Sequence, residues 1–160
     1  MVDVQTIGVA VTATSVVIGI IYYIFTARTT LQTRQAQLYM QLYNRWTPEM
    51  NATFWSFLSV DFKDAQEHLT KYRTDKDYAK WCDTLGTFYE GLGVLVREGF
   101  LDIRYVSLFL GGGTRMHWEK YKPIIGDLRR LLGYPRWLSE TEYLYDRLMD
   151  FMEKNPELKT

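Results

Sequence analysis

Polar and apolar positions divide this chain sharply after its first 27 residues. Residues 4–27 carry no charged side chain, and residues 7–25 are mostly Ile, Val, Gly, Ala, Tyr and Phe. Coiled as a helix, 24 residues reach roughly 36 Å, enough to cross a hydrocarbon core of about 30 Å with some tilt. Beyond residue 28 the pattern changes to apolar positions every three or four residues, the period of helices buried on one face. No alternating Val/Ile/Thr-rich run with turn signals occurs, so a sheet is not expected. The pattern predicts an all-α protein in which one N-terminal transmembrane helix continues into a cytoplasmic bundle of about five or six helices. Its expected organisation is a segment and span over residues 1–27, a helical domain over 28–155 and a tail over 156–160.

A cleaved signal peptide is the competing reading of the apolar run. It calls for a basic leader, a short apolar core and small residues at the cleavage site. Met1-Val2-Asp3 is acidic instead, the run is too long, and Tyr22-Tyr23-Ile24-Phe25 is bulky where small residues are needed. Orientation follows from the basic flank: Arg28 and Arg34 follow the span and no Lys or Arg precedes it. The positive-inside rule then puts the N-terminus outside the cell membrane and the long C-terminal part in the cytoplasm. Tyr22, Tyr23 and Phe25, with Arg28, are the expected anchors at the inner interface.

Gly8, Thr12, Ser15 and Gly19 fall at spacings of four, three and four, one stripe of a helix. Ile7, Val9, Val16, Ile18, Ile20, Ile21 and Ile24 cover the rest. Small residues on one face let a second backbone approach closely, and Thr and Ser can hydrogen-bond across such a contact. The stripe is therefore the candidate helix-packing interface. The bland alternative is that these residue types are simply common in membrane helices.

In residues 28–46, Leu31, Leu38, Leu42 and Trp46, with Tyr39 and Tyr43 beside them, keep the three-four repeat with no Gly or Pro to break it from the span. Thr47-Pro48-Glu49 is a helix start, with Thr as cap and Pro in the first turn; the helix it opens presents Met50, Phe54, Phe57 and Leu58. A short amphipathic helix is expected over residues 61–72, and a long one over 76–98 that Gly99 ends. The long helix carries Tyr78, Trp81, Cys82, Leu85, Phe88, Tyr89, Leu92 and Val96, of which Trp81, Leu85, Phe88 and Leu92 are the expected centre. Gly86 and Gly93, on one side of it, would permit a close helix crossing. Asp102 caps a short helix over 103–110; the Gly111-Gly112-Gly113 run then reads as a hinge before a longer helix carrying His117, Tyr121, Ile125, Leu128 and Leu132, kinked at Pro123. Gly133-Tyr134-Pro135 breaks the chain, and Ser139-Glu140-Thr141-Glu142 reads as a capping box for a last helix that buries Leu144, Leu148, Phe151 and Met152 and ends at Asn155-Pro156.

Charge adds exclusions. All 19 basic residues and all but one of the 19 acidic ones lie from Arg28 onward, so that part is near neutral. A nucleic-acid module or a polybasic lipid-binding tail would show a basic excess. One cysteine, Cys82, allows no intramolecular disulfide and suits a reducing compartment. On the apolar face beside Trp81 and Leu85 it reads as a buried, inert thiol. His68 and His117 sit in no Glu-x-x-His or His-x-x-x-His pattern, so no metal site, and no cofactor, is expected; His117 reads as a polar residue on a helix face. Gly111–113 before Thr114-Arg115 lacks the preceding strand and the Lys-Ser/Thr pair of a phosphate loop. Glu90 with Glu98 or Asp83 could pair as carboxylates, though solvated helix charges are the commoner outcome, and no nucleophile–base pair stands out.

The blocks RQAQLYMQLYNRW (residues 34–46), FYEGLGVLVREGFLD (88–102) and WEKYKPII (118–125) resemble an uncharacterised bacterial and archaeal family of single-span, membrane-anchored helical proteins, a domain of unknown function. The resemblance covers most of residues 28–150 together with the preceding span. It implies the one-span helical architecture and offers no catalytic residues to carry across. Three functions stay open: a non-catalytic accessory or scaffolding subunit of a larger membrane complex, a free-standing regulatory anchor recruiting a soluble partner, and a membrane-tethered enzyme. The small-residue stripe favours the first, because it asks for a partner inside the bilayer; other transmembrane subunits of a hetero-complex are the expected partners, ahead of a homo-oligomer.

Overall fold

The computed structural model describes residues 3–158, without the side chains of residues 4–7 and 10. Met1, Val2, Lys159 and Thr160 therefore lie outside the described residues, as does the expected lipid-facing place of the Ile7 side chain. Seven α-helices follow in order: α1 Val4–Arg45, α2 Pro48–Ser59, α3 Ala65–Thr74, α4 Lys76–Arg97, α5 Ile103–Tyr121, α6 Ile125–Leu132 and α7 Ser139–Lys154, with a short 3₁₀ turn over Pro156–Leu158. No strand occurs among the described residues. Internal contacts divide the chain between Met40 and Gln41.

Residues 4–40 belong to helix α1, with no buried residue among those described. Its stretch Val11–Arg45 contains an 18-residue window of mean hydropathy 1.5, none of it buried. The helix is long and apolar enough to cross a membrane.

The core of the second unit forms where α4 is wrapped by its neighbours. Tyr78, Leu85, Tyr89 and Leu92 repeat on one face of α4, and each is essentially inaccessible to solvent. Asp75 starts this helix by accepting hydrogen bonds from the backbone N–H groups of Asp77 and Tyr78, and Gly99 ends it with φ +70°, a left-handed position that favours glycine. From α2, Met50, Phe54 and Phe57 pack inward, with Thr47 capping the helix through the Met50 N–H as its sequence implies. From α7, Leu144, Leu148 and Met152 are buried, whereas Phe151 is half-exposed. Trp81 and Phe88, expected at the centre, are also only half-buried: they flank the stripe, and Phe88 packs its ring against Trp46.

Helices α4 and α7 cross closely at Gly93. A Cβ on Gly93 would fall 2.2 Å from the carbonyl oxygen of Glu140, so only glycine lets these backbones approach so closely. A Cβ on Gly86, on the same side, would lie 3.8 Å from Leu138 Cδ2. Of the glycine pair expected to permit a close crossing, Gly93 does so, with α7 as its partner, whereas Gly86 meets only a side chain at ordinary contact distance.

Three local expectations need correction. The Gly111-Gly112-Gly113 run is not a hinge, since α5 passes through it unbroken. A Cβ on Gly113 would lie 2.9 Å from Tyr89 Oη and 3.7 Å from Phe54, and one on Gly111 would lie 3.9 Å from Leu148. Close packing of α5 on α2, α4 and α7 thus offsets a propensity cost of about 1 kcal/mol per glycine. Pro123 kinks no long helix: α5 stops at Tyr121, Pro123 lies in the connecting turn, and α6 ends at Gly133 with φ +62°, leaving Leu132 exposed. The short third helix starts at Ala65 rather than near Asp61, because Asp64 caps it by accepting from the Glu67 N–H at 2.8 Å.

Replacing Leu85, which has no exposed surface, by Ala should cost about 2–5 kcal/mol. Denaturant unfolding of the full chain in detergent, followed by circular dichroism, measures this; a loss below about 1 kcal/mol would mean that the centre lies elsewhere.

Candidate functional site

Two places were candidates for function: the small-residue stripe of α1 and the polar groups embedded in the aromatic core. On α1, Gly8, Thr12, Ser15 and Gly19 share one face, and the Gly8–Thr12 turn leaves an open notch lined by Gly8, Val9, Thr12 and Ala13. The hydroxyls do not reach outward. Thr12 Oγ1 donates to the Gly8 carbonyl and Ser15 Oγ to the Val11 carbonyl, each at 2.9 Å. A helix docking here would therefore gain close backbone packing rather than hydrogen bonds from these hydroxyls. Tyr22, Tyr23 and Phe25 are each about 70% exposed, and Arg28 beside them is exposed too.

In the helical domain, sequence reasoning missed the main feature, a cleft of about 620 Å³. One wall is the outer side of α4, with Cys82, Asp83, Gly86, Thr87, Glu90, Gly91 and Val94. Opposite stand His68, Leu69 and Tyr72 of α3, Leu132 at the end of α6, and Tyr134, Trp137 and Leu138 of the connection to α7. Two glycines on the α4 wall, Gly86 and Gly91, keep the space open. Asp83 and Glu90 do not pair with each other. Asp83 Oδ1 accepts from the Tyr72 hydroxyl at 2.7 Å, and Glu90 Oε1 accepts from both Thr141 N at 2.7 Å and Thr141 Oγ1 at 2.9 Å.

That last contact corrects the expected capping box. Leu138 precedes α7 with φ 54°, and no side chain of the segment caps its own helix. The Glu90 carboxylate supplies the acceptor from α4 instead, at the helix end where backbone N–H groups favour negative charge. Ser139 and Glu142 are thereby released from the box, and Glu142 pairs with Arg129 Nη2 at 2.7 Å. Glu140, largely buried at the crossing, accepts from Arg97 Nε at 2.5 Å and lies 3.5 Å from Arg136 Nη2.

From the His68 and Cys82 side of the cleft a string of polar groups runs into the core. His68 Nδ1 lies 2.7 Å from the Tyr78 hydroxyl, and Cys82 contacts the hydroxyls of Tyr78 and Tyr121. Burial pushes the Cys82 thiol up to about 11, so it is held protonated, in keeping with the inert role expected of it. Burial, assisted by the Lys120 charge, lowers His68 to about 4. His117 is not a surface polar residue: it is fully buried, stacked on Tyr89 with centroids 4.3 Å apart, and neither ring nitrogen has a partner. Its apolar, aromatic surroundings lower it to about 3. Among the described residues no cluster of three or more His, Cys, Asp or Glu side chains could hold a metal ion.

A family model described as a domain of unknown function (DUF4760) matches residues 10–148. No curated protein and no solved structure matches the chain.

Both histidines are depressed below their unfolded value near 6.5, which sets a direction for stability. As pH falls below about 6.5, the unfolded chain binds protons that folded His68 and His117 refuse until about 4 and 3, so stability drops on acidification by about 1.4 kcal/mol per pH unit per histidine. Urea midpoints measured between pH 7 and pH 5 for the parent and His117→Phe isolate one of them. The variant should lose less stability across that window, and equal slopes would contradict the neutral, buried His117.

Proposed function

The chain belongs to the DUF4760 family, and we propose that it is a non-catalytic, single-pass accessory or scaffolding subunit of a larger membrane complex, anchored in the cell membrane by α1. One observation carries this reading: α1 presents Val11, Val17, Ile18, Ile20 and Ile21 more than half-exposed, and interrupts that apolar surface with the Gly8–Thr12 notch. Lipid satisfies the β-branched sides, whereas a notch of small residues gains from a second helix backbone. Oriented by Arg28 and Arg34, the helical domain faces the cytoplasm.

The cleft in the helical domain supports a second reading, a regulatory anchor whose soluble part takes up a ligand or partner. A membrane-tethered enzyme draws less support, since Cys82 is held protonated and His68 and His117 neutral in the core.

Gly8→Ile combined with Gly19→Ile should abolish assembly while leaving insertion intact, because neither new Cβ meets another atom of the chain and the added surface is apolar. Val17→Leu with Ile24→Leu, on the opposite side of α1, is the matched control. Native gels after mild detergent extraction compare the complexes; equal assembly in both variants would leave α1 as a tether and favour the recruitment reading. Orientation is read from Glu153→Cys, which should resist an impermeant maleimide in intact cells and react after permeabilisation. Reaction in intact cells would reverse the topology.

A further inference from the structure

We infer that the cleft between α3, α4 and the α6–α7 connection is a binding site for a small organic cation with an apolar body, whose ammonium groups are met by Asp83 and Glu90. The volume of about 620 Å³ lies within the range of small-molecule sites, about 300–1,000 Å³. Its walls supply what the body of such a ligand needs, in Leu69, Val94 and Leu138 and in the aromatic rings of Tyr72 and Trp137, a residue class that also attracts cations.

Charge decides the ligand class. Asp83 and Glu90 are the only ionisable carboxylates lining the cleft, no Lys or Arg lines it, and neither acid forms a salt bridge among the described residues. Each has one oxygen fixed by a neutral donor, Oδ1 by Tyr72 and Oε1 by Thr141, so the carboxylates are oriented without being neutralised. A further acceptor oxygen remains on each for an N⁺–H donor, the kind of charge-assisted contact that is strongest. An anionic ligand would meet both charges with nothing to offset them. The two acids sit seven residues apart on α4, about 10.5 Å along the helix axis, with Gly86 and Gly91 leaving the wall open. A linear diammonium with a hydrocarbon spacer of that length engages both acids at once and lays its chain along the apolar wall.

The test is isothermal titration of the full chain in nanodiscs of zwitterionic lipid with 1,8-diaminooctane, whose two amines are separated by a matching span. Suberate, the dicarboxylate of the same chain length, is the charge-reversed probe. Saturable binding of the diamine without saturable binding of suberate is the expected result. Asp83→Asn with Glu90→Gln keeps the oxygens that accept from Tyr72 and Thr141 and removes only the charges; it should weaken the diamine by about tenfold or more, equivalent to about 1.4 kcal/mol. Gly91→Leu, at an exposed position where a Cβ meets nothing, should obstruct the cleft and weaken binding with both acids in place. Circular dichroism confirms that both variants keep the helical content of the parent. No saturable diamine binding, equal binding of suberate, or full affinity in either folded variant would overturn the assignment.

Discussion

Everything in the helical domain depends on how closely α4 can approach α7. At Gly93 the two backbones come within a distance that no side chain tolerates, with Glu140 occupying the space a Cβ would need. That approach brings Glu90, one turn earlier on α4, to the first turn of α7, where it accepts from Thr141 N and Oγ1. Arg97, one turn later, holds Glu140 and lies 3.9 Å from the Tyr143 ring. One glycine thus sets the registration of a clasp that an ordinary cap would otherwise have to provide. The cleft is its by-product: Leu138 and Trp137 enter α7 over the outer face of α4, and the space they leave above Gly86 and Gly91 is the proposed site.

The apolar helix α1 imposes a different constraint. Its exposed Val and Ile side chains form a surface that water disfavours and a bilayer accepts. Inside a bilayer the hydrophobic effect no longer drives helices together, so association there rests on shape. With the Thr12 and Ser15 hydroxyls turned onto their own helix, the notch at Gly8 is what shape remains. The two proposals are separable for that reason: the first rests on packing in lipid, the second on charge in a water-facing cleft.

Local grammar made much of this fold legible. The Thr47 and Asp102 caps, the Gly99 and Gly133 stops, Leu85 and Leu92 on α4 and the capacity of Gly93 for a close crossing all follow from residues close in sequence. Where the reading failed, a long-range contact outweighed a local signal. Gly111–113 has the composition of a hinge, yet Tyr89 and Phe54 fill the space beside Gly113 and α5 runs through it unbroken. Ser139-Glu140-Thr141-Glu142 has the spacing of a capping box, yet a carboxylate 51 residues earlier takes the role. His117 was read as polar from its residue type, yet it lies four residues before Tyr121 on the same buried face of α5. The cleft was the least legible feature, because its walls come from α3, α4 and the α6–α7 connection and no single segment carries its signature.

The chain joins a helix long and apolar enough to cross a membrane to a separate domain clasped at Gly93. Hydrogen–deuterium exchange of the full chain in lipid nanodiscs, comparing the parent with Gly93→Ala, examines both halves at once. The expected result is strong protection of residues 11–25 in both proteins, with α4 and the first turns of α7 losing protection together in the variant. Rapid exchange across residues 11–25, or an α7 as protected in Gly93→Ala as in the parent, would contradict it.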